Sequence, residues 1–412
     1  MSEEQIESPE LHAYREQARA WLAANMRPLN AQAASRERRD DEDPNEEVMA
    51  EARRGQALIH QAGYSGFTFP REYGGQGLTL DHERVFLEEA ASYDVPVRHF
   101  GVSINILGAT LAAFGTHEQK LAHIPNILSG TEIWLQFLSE PSGGSDLGGL
   151  LTTAVRDGDS YIVNGQKTWS TGAHLSDFAL CPVRTRWDVP KHKGISVLII
   201  DLRSPGIEIR RIKQINGGAE FCEEFFTDVA VPAANLVGAE NEGWRVARGL
   251  LEIEHGWVGR GGARSSHDSG VGSLVSLARR RGLDQDQGVR RQIGGMHAAG
   301  EVQKLVAVRV SNGIAAGKMR AGYGSLLKLG NDILTQRRAE LGLRLAGSRG
   351  VTWAPGEDDT DEWSNAFLSS RSASIAGGTD EIQRNNVSER VLDLPREPAF
   401  DRDIPFNQVP HN

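Results

Sequence analysis

The hydrophobic period of this chain changes twice, from helical to strand-like near residue 132 and back to helical near residue 241, and that order restricts the architectures open to it. Between residues 11 and 130, Leu11, Tyr14, Ala18, Trp21 and Leu22 recur at helical spacing, as do Val85, Phe86 and the run 107–114. Tyr73-Gly-Gly-Gln-Gly-Leu78 reads as a glycine turn between these helices. The mixed-charge stretch 36–47 reads as a solvated loop or the polar start of a helix. From 132 to 240, short β-rich runs at 178–184, 194–202, 206–212 and 221–231 are punctuated by Pro182, Pro190, Pro205 and Pro232. After Gly243 the stripe Val246, Leu250, Ile253 and Trp257 and the stretches 303–317 and 326–345 are helical again. Helices, then strands, then helices predict an α+β protein with domains at 1–131, 132–240 and 241–412. Alternating βαβ units do not fit, and no GxGxxG joins a strand to a helix, so a Rossmann-type nucleotide site is not expected.

Composition narrows the function. With 412 residues at 39% apolar, the chain has ample material for a core. A net charge of −10, and five acids against three arginines in 385–412, argue against a nucleic-acid partner. Two cysteines, Cys181 and Cys222, without CxxC or clustered histidines, indicate neither a disulfide framework nor a zinc or other metal site. Both fall in strand runs, where a cysteine behaves as a small buried apolar residue. Residues 1–10 are acidic and polar, and no apolar run approaches the ~20 residues of a membrane span. The expectation is a cytoplasmic protein with no membrane span.

Two glycine-rich segments carry the chemistry. The first joins Ser139-Glu-Pro-Ser-Gly-Gly-Ser-Asp146 to a hairpin ending Gly165-Gln-Lys-Thr-Trp-Ser-Thr171, with Asp157-Gly158 and Asn164-Gly165 as turn signals. Trp169 and Thr171, two apart on a strand, share a face, so an aromatic plane and a hydroxyl can approach one flat ligand together. Taken alone, the hairpin fits better as a surface element with a buried tryptophan. The second segment is Ile375-Ala-Gly-Gly-Thr-Asp-Glu-Ile-Gln-Arg384. Gly377 and Gly378 permit a tight loop, and Thr379, Asp380 and Glu381 suit the first turn of a helix. Taken alone, it is an ordinary capped helix start.

In this order and wording, the two segments resemble the acyl-CoA dehydrogenase family, and the resemblance extends over about residues 10–396. It implies an N-terminal helical domain, a middle β-barrel or sandwich domain and a C-terminal four-helix bundle. It implies FAD as cofactor, an acyl-CoA as substrate, electron-transferring flavoprotein as electron acceptor, and a homo-dimer or homo-tetramer, with a hetero-oligomer open. By resemblance, Leu138 and Ser139 touch the flavin ring edge, Trp169 packs against the ring and Thr171 hydrogen-bonds near N5. Thr379 and Glu381 reach the cofactor from the C-terminal loop, and Ser145 contacts the acyl-CoA. Leu345-Ala-Gly-Ser-Arg-Gly350 resembles the loop through which a neighbouring subunit holds the FAD adenosine diphosphate, with Gly347 in the loop and Arg344 in place of the usual glutamine. A helix C-terminus capped by Gly347 or Gly350 fits that stretch equally.

The position of the base separates the branches of the family. In the best-known branch it is a glutamate just before the Gly-Thr pair of the C-terminal loop, where this chain has Gly377. The long-chain and isovaleryl branches carry it on the helix after the β domain, in a Leu-x-x-Glu-Arg context. Leu250-Leu-Glu-Ile-Glu-His255 matches that stretch, which puts Glu254 at the base position and His255, a candidate substrate contact, where the arginine stands. At about 100° per residue, Glu254 lies roughly 70° from the centre of the apolar stripe and Glu252 roughly 130° away on the other side. Only Glu254 borders the buried face, although a glutamate at such a border is usually solvated, and helical geometry by itself favours that reading. The resemblance implies that Glu254 takes the α proton of the thioester while the β hydride passes to flavin N5. The backbone N–H of Gly377 then serves as a donor to the enolate oxygen. Burial beside the stripe predicts a raised pKa for Glu254. The bare Gly377 predicts room for branched or bulky acyl groups. A flavin monooxygenase or oxidase of the same fold, and a partner subunit of a hetero-oligomeric dehydrogenase, are the alternatives.

Overall fold

Ser8 starts the first helix: its hydroxyl accepts from the Leu11 amide at 3.2 Å, and Pro9 sits in the first turn, where a missing N–H costs nothing. The computed structural model describes residues 7–29, 46–259, 271–352, 361–399 and 401–410. They fall into two compact units, one of residues 1–214, 218–265 and 400–412, the other of 215–217 and 266–399. The mixed-charge stretch lies outside the described residues up to position 45, and Glu46 and Glu47 begin a helix.

In the first unit, α1 (Pro9–Asn25), α2 (Glu46–Gln61) and α3 (Leu80–Ala90) bury Ala18, Leu22, Ile59, Phe86 and Ala90 in one cluster. A longer helical run follows, α4 (Val97–Val102), a π-helical segment Ser103–Gly108 and α5 (Ala109–Phe114), and then α6 (His117–Ser129), opened by a capping box between Thr116 and Gln119.

The strands are β1 (Trp134–Gln136), β2 (Thr153–Asp157), β3 (Ser160–Thr171), β4 (Phe178–Arg184), β5 (Ile195–Asp201), β6 (Ile207–Arg211), β7 (Phe221–Pro232) and β8 (Leu236–Val237). They form one eight-stranded sheet in the order β6-β7-β3-β2-β4-β5-β8, with β1 paired parallel to β4. Strands β4 and β5 are almost continuously apolar because both of their faces are covered. Ala179, Cys181, Val183, Leu198 and Ile200 pack with Tyr161, Val163, Val229 and Val231 from the other limb of the sheet, which therefore curls over its own core. Leu180, Val197 and Ile199 face the opposite way, against Phe100, Leu107, Val246 and Leu250 of the helices. Both cysteines are buried, free and on strands, as the sequence implied.

Asp157-Gly158 makes the turn between β2 and β3, but Asn164-Gly165 does not turn the chain. Gly165 lies inside β3 at φ +148°, where the register with β7 slips, and a Cβ there would meet Thr152 Oγ1 at 2.6 Å. An Asn-Gly pair signals a bulge with close backbone approach as readily as a hairpin turn.

After the sheet comes α7 (Gly243–Gly259), whose buried face carries Val246, Ala247, Leu250 and Trp257. The second unit is helical, with α8 (Gly272–Arg280), α9 (Gln287–Ala315), α10 (Gly324–Ala346), α11 (Asp361–Ser369) and α12 (Asp380–Arg390). Helix α10 packs against the other four, and Leu274, Leu277, Ile293, Leu341, Leu345 and Trp363 form the core. At Gly342 the helices touch so closely that a Cβ would meet Trp363 Cε3 at 1.7 Å. Gly342→Ala is expected to destabilise this unit by about 1–3 kcal/mol through overpacking, read as a lower midpoint in thermal unfolding; an unchanged midpoint would contradict the packing. Among the described residues, no helix is long and apolar enough to cross a membrane, and no group of His, Cys, Asp or Glu could hold a metal ion.

Candidate active site

The loop after β1 is tied along the end of β3. Phe137 N–H donates to Leu180 O at 3.0 Å and Thr168 N–H to Ser139 O at 3.0 Å, which sets Leu138 and Ser139 beside residues 167–171. Leu138 also packs on the apolar cluster that holds Ala247 and Leu251 of α7. Loop, strand and helix thus converge within one unit.

At Trp169 the register between β3 and β7 slips again, and the residue takes φ +67°. A bulky residue in the left-handed region is uncommon and costs about 1–3 kcal/mol, a strain that persists where the surroundings enforce it. Here the bulge turns the indole outward. Trp169 is 58% exposed and Thr171 is exposed, with buried Ser170 between them. The alternative of a buried tryptophan is therefore wrong, and Trp169 and Thr171 are both exposed, although the bulge at Trp169 interrupts the regular alternation from which a shared face was expected. The Thr171 hydroxyl has no partner among the described residues.

Behind this face lies an ionic network that the sequence reading missed. Lys167 Nζ and Glu140 Oε1, both buried, pair at 2.8 Å. Glu140 also accepts from the amides of Leu151 at 2.6 Å and Thr152 at 3.0 Å. Burial alone would raise the Glu140 carboxyl, but the Lys167 charge and these donors hold it below its ordinary range. Glu224, opposite Lys167 on β7, accepts from Ser170 Oγ at 3.1 Å, has no partner at Oε1 among the described residues, and is pushed up to about 8 by burial. The signal available in the sequence was a lysine in a strand segment otherwise bound for the interior.

Glu254 sits at the edge of the buried face of α7, as the helical wheel indicated, and is half-buried. It has no hydrogen-bond or ion-pair partner among the described residues, and desolvation alone raises its pKa. Glu252 is exposed and pairs with Arg248 at 3.2 Å. His255 is on the exposed side of the helix, and Ser145 is exposed on the loop before residue 147.

In the second unit, Gly377 and Gly378 take φ +66° and +87°, and Thr379 caps α12 by accepting from the Ile382 amide at 3.3 Å. Gln383 Nε2 donates to Gly377 O at 2.9 Å and Gly378 O at 3.2 Å, fixing the loop from below. The Gly377 N–H donates to no acceptor among the described residues, and a Cβ built there would meet nothing within 4 Å. Glu381 is exposed, 3.9 Å from Arg384. Arg344 and Gly347 line an open hollow of about 470 Å³ with Glu340, Leu343, Val351 and Phe367. Gly347 also caps α10 at φ +64°, so the capping role is present.

Three family models match in sequence order: the acyl-CoA dehydrogenase N-terminal domain over residues 8–131, the middle domain over 136–229 and the C-terminal domain over 241–392. Acyl-CoA dehydrogenase IpdE1 of Mycobacterium tuberculosis is 37% identical over 390 residues, covering 94% of this chain and 99% of that one. This chain belongs to the acyl-CoA dehydrogenase family. It is an oxidoreductase of acyl-CoA thioesters, and its cofactor is FAD. Among solved structures, the Tcur3481-Tcur3483 steroid ACAD aligns with a TM-score of 0.77 at 26% identity, over 95% of this chain and 99% of that one. The ChsE4-ChsE5 complex from Mycobacterium tuberculosis aligns at 0.70 and 28%, over 95% and 100%. The residues of this acyl-CoA dehydrogenase fit a flavin ring: an indole is set outward by a strained bulge, an unpaired hydroxyl stands two residues on, and Leu138 and Ser139 are fixed beside them.

Proposed function

We propose that Glu254 is the base in an α,β-dehydrogenation that converts an acyl-CoA thioester to its trans-2-enoyl-CoA. The observation that carries this reading is a desolvated carboxyl on α7, without a partner among the described residues, on a helix that packs in one cluster with Leu138. Glu254 takes the α proton, and the electron pair of that C–H bond forms the new double bond. As the family resemblance implies, Leu138, Ser139, Trp169, Thr171, Thr379 and Glu381 would hold FAD, with Arg344 and Gly347 toward its diphosphate, and the bound cofactor would supply the acceptor for the β hydrogen as hydride. The unpaired N–H of Gly377 suits the thioester oxygen, whose negative charge develops as the α proton leaves. Ser145 and His255 are proposed to contact the substrate.

A base must be ionised to work, and desolvation moves the Glu254 pKa above the ordinary carboxylate value. Flavin reduction by acyl-CoA is therefore expected to accelerate with rising pH and level off above that raised pKa. A rate that shows no loss on acidification through the carboxylate range would contradict the assignment.

The acyl group is proposed to be bulky. Gly377 leaves open the space a side chain would fill, and a similar solved protein is described as a steroid ACAD. Anaerobic bleaching of the flavin by a panel of CoA thioesters, from short straight chains to ring-bearing acids, tests this, and a clear preference for short straight chains overturns it. Electron-transferring flavoprotein is the proposed acceptor. Similarity to the ChsE4-ChsE5 complex supports assembly with a second, different subunit as the alternative to a homo-oligomer.

A further inference from the structure

Residues 401–410 lie beyond the last residue matched by the C-terminal family model, 392, and belong to the same compact unit as the sheet. They dock on the connection between β4 and β5. Phe406 N–H donates to Val189 O at 2.8 Å and Asn407 N–H to Trp187 O at 2.9 Å. The Phe406 ring is buried, stacks on Trp187 with centroids 5.3 Å apart, and lies 3.9 Å from the Arg184 guanidinium.

From this dock, two cations reach the loop that carries Ser145. Arg184, itself buried, donates through Nη2 to Gly148 O at 2.7 Å and Leu150 O at 3.2 Å, and through Nη1 to Lys191 O. Lys191 Nζ stands between two carboxylates, Asp401 at 2.8 Å and Asp146 at 3.0 Å. Asp146 is the neighbour of Ser145 and folds over the short turn that follows, so that a Cβ on Gly149 would meet its Oδ2 at 2.7 Å. On the other side, His192 packs so closely that a Cβ on Gly148 would meet its Nε2 at 2.7 Å. The turn 147–149 is thus gripped from both sides.

We propose that residues 401–410 are a strap that positions the substrate loop around Ser145, with Lys191 and Arg184 as its positioning residues. A surface ion pair alone does little, but Lys191 is mostly covered and bridges two carboxylates, and Arg184 delivers its donors from the interior. The strap sets geometry for substrate binding and leaves proton transfer at Glu254 untouched. The inference rests on the reading that Ser145 contacts the acyl-CoA.

The test uses the FAD-loaded enzyme and free coenzyme A as probe, measured by calorimetry in wild type, Lys191→Met, Lys191→Arg and Asp401→Asn. Coenzyme A is expected to bind about tenfold more weakly to Lys191→Met, the factor that about 1.4 kcal/mol of lost loop positioning gives. Asp401→Asn should weaken it less, and Lys191→Arg should restore it. With an acyl-CoA that reduces the flavin, Lys191→Met should raise KM by the same factor and leave the limiting rate and FAD content unchanged. Equal binding in wild type and Lys191→Met, even with a lowered melting temperature, reduces the strap to a structural element and overturns the proposal. No binding of coenzyme A by wild type overturns it as well. Wild type that binds coenzyme A while no thioester bleaches its flavin instead counts against the dehydrogenation reading.

Discussion

Glu254→Gln is expected to keep its flavin and lose the ability to have it reduced by an acyl-CoA, by a factor of about 10²–10⁴ in the limiting rate. The amide preserves the shape of the side chain but cannot accept the α proton. What makes this substitution informative is its second effect. The Glu254 carboxyl is desolvated and has no cation or donor beside it among the described residues, and its folded pKa lies above the unfolded one. Such a group costs nothing below the unfolded pKa, where it is protonated in both states. The cost grows as pH rises from the unfolded to the folded pKa and is complete above the latter. Glutamine removes it. The variant should therefore match the wild type in thermal unfolding at low pH and match or exceed it at pH 8, while reduction fails at both. Glu252→Gln, two residues away on the exposed side with its Arg248 partner, is the control and should reduce normally. Bleaching at the wild-type rate in Glu254→Gln would sink the assignment. So would a pronounced fall in stability at pH 8, because it would mean that the carboxylate has a stabilising partner.

The parts of this molecule legible in the sequence are those fixed by local period. The strand run 178–184 coincides with β4, and the other three runs coincide with β5, β6 and β7 to within a residue or so at each end, because alternation and proline punctuation are carried by neighbouring residues. The edge position of Glu254 was legible for the same reason, being a matter of angle around one helix. Features that depend on what crosses a strand were not. Asn164-Gly165 reads locally as a turn, but Thr152 is what requires the glycine. Trp169 points outward because the chain bulges against β7, and nothing near it in sequence reports that pairing. The Glu140–Lys167 pair joins residues 27 apart, and Lys191 meets Asp401 across 210 residues, spans over which periodicity carries no information. The motif words located the stretch that carries Trp169 and Thr171; the means of holding it rigid is tertiary.

That rigidity can be measured at Lys167. Lys167→Met is expected to destabilise the protein by about 3–5 kcal/mol, since removing one member of a buried pair leaves the other charge without compensation. In the wild type the folded pKa of Glu140 lies below the unfolded one, so the pair contributes stability that is present above the unfolded pKa and lost as pH falls through the folded value. In Lys167→Met the desolvation of Glu140 is opposed only by the Leu151 and Thr152 amides and their neighbours, and its pKa rises. The sign then reverses, and the deficit should be larger at pH 8 than at pH 5. Glu140→Gln is expected to be milder. It strands the Lys167 ammonium, but Glu224 lies across the strand pair with a pKa near 8 and an oxygen without a partner, so it can ionise and take over as counter-ion. The double variant Glu140→Gln/Lys167→Met should recover part of the loss, and a double-mutant cycle gives the coupling directly. Because Ser139 and Thr168 are joined one residue from each member of the pair, Lys167→Met should also release FAD at lower denaturant concentration than global unfolding requires. Additive effects in the cycle, or a Lys167→Met variant as stable as wild type at pH 8, would show that the pair does not brace the flavin face.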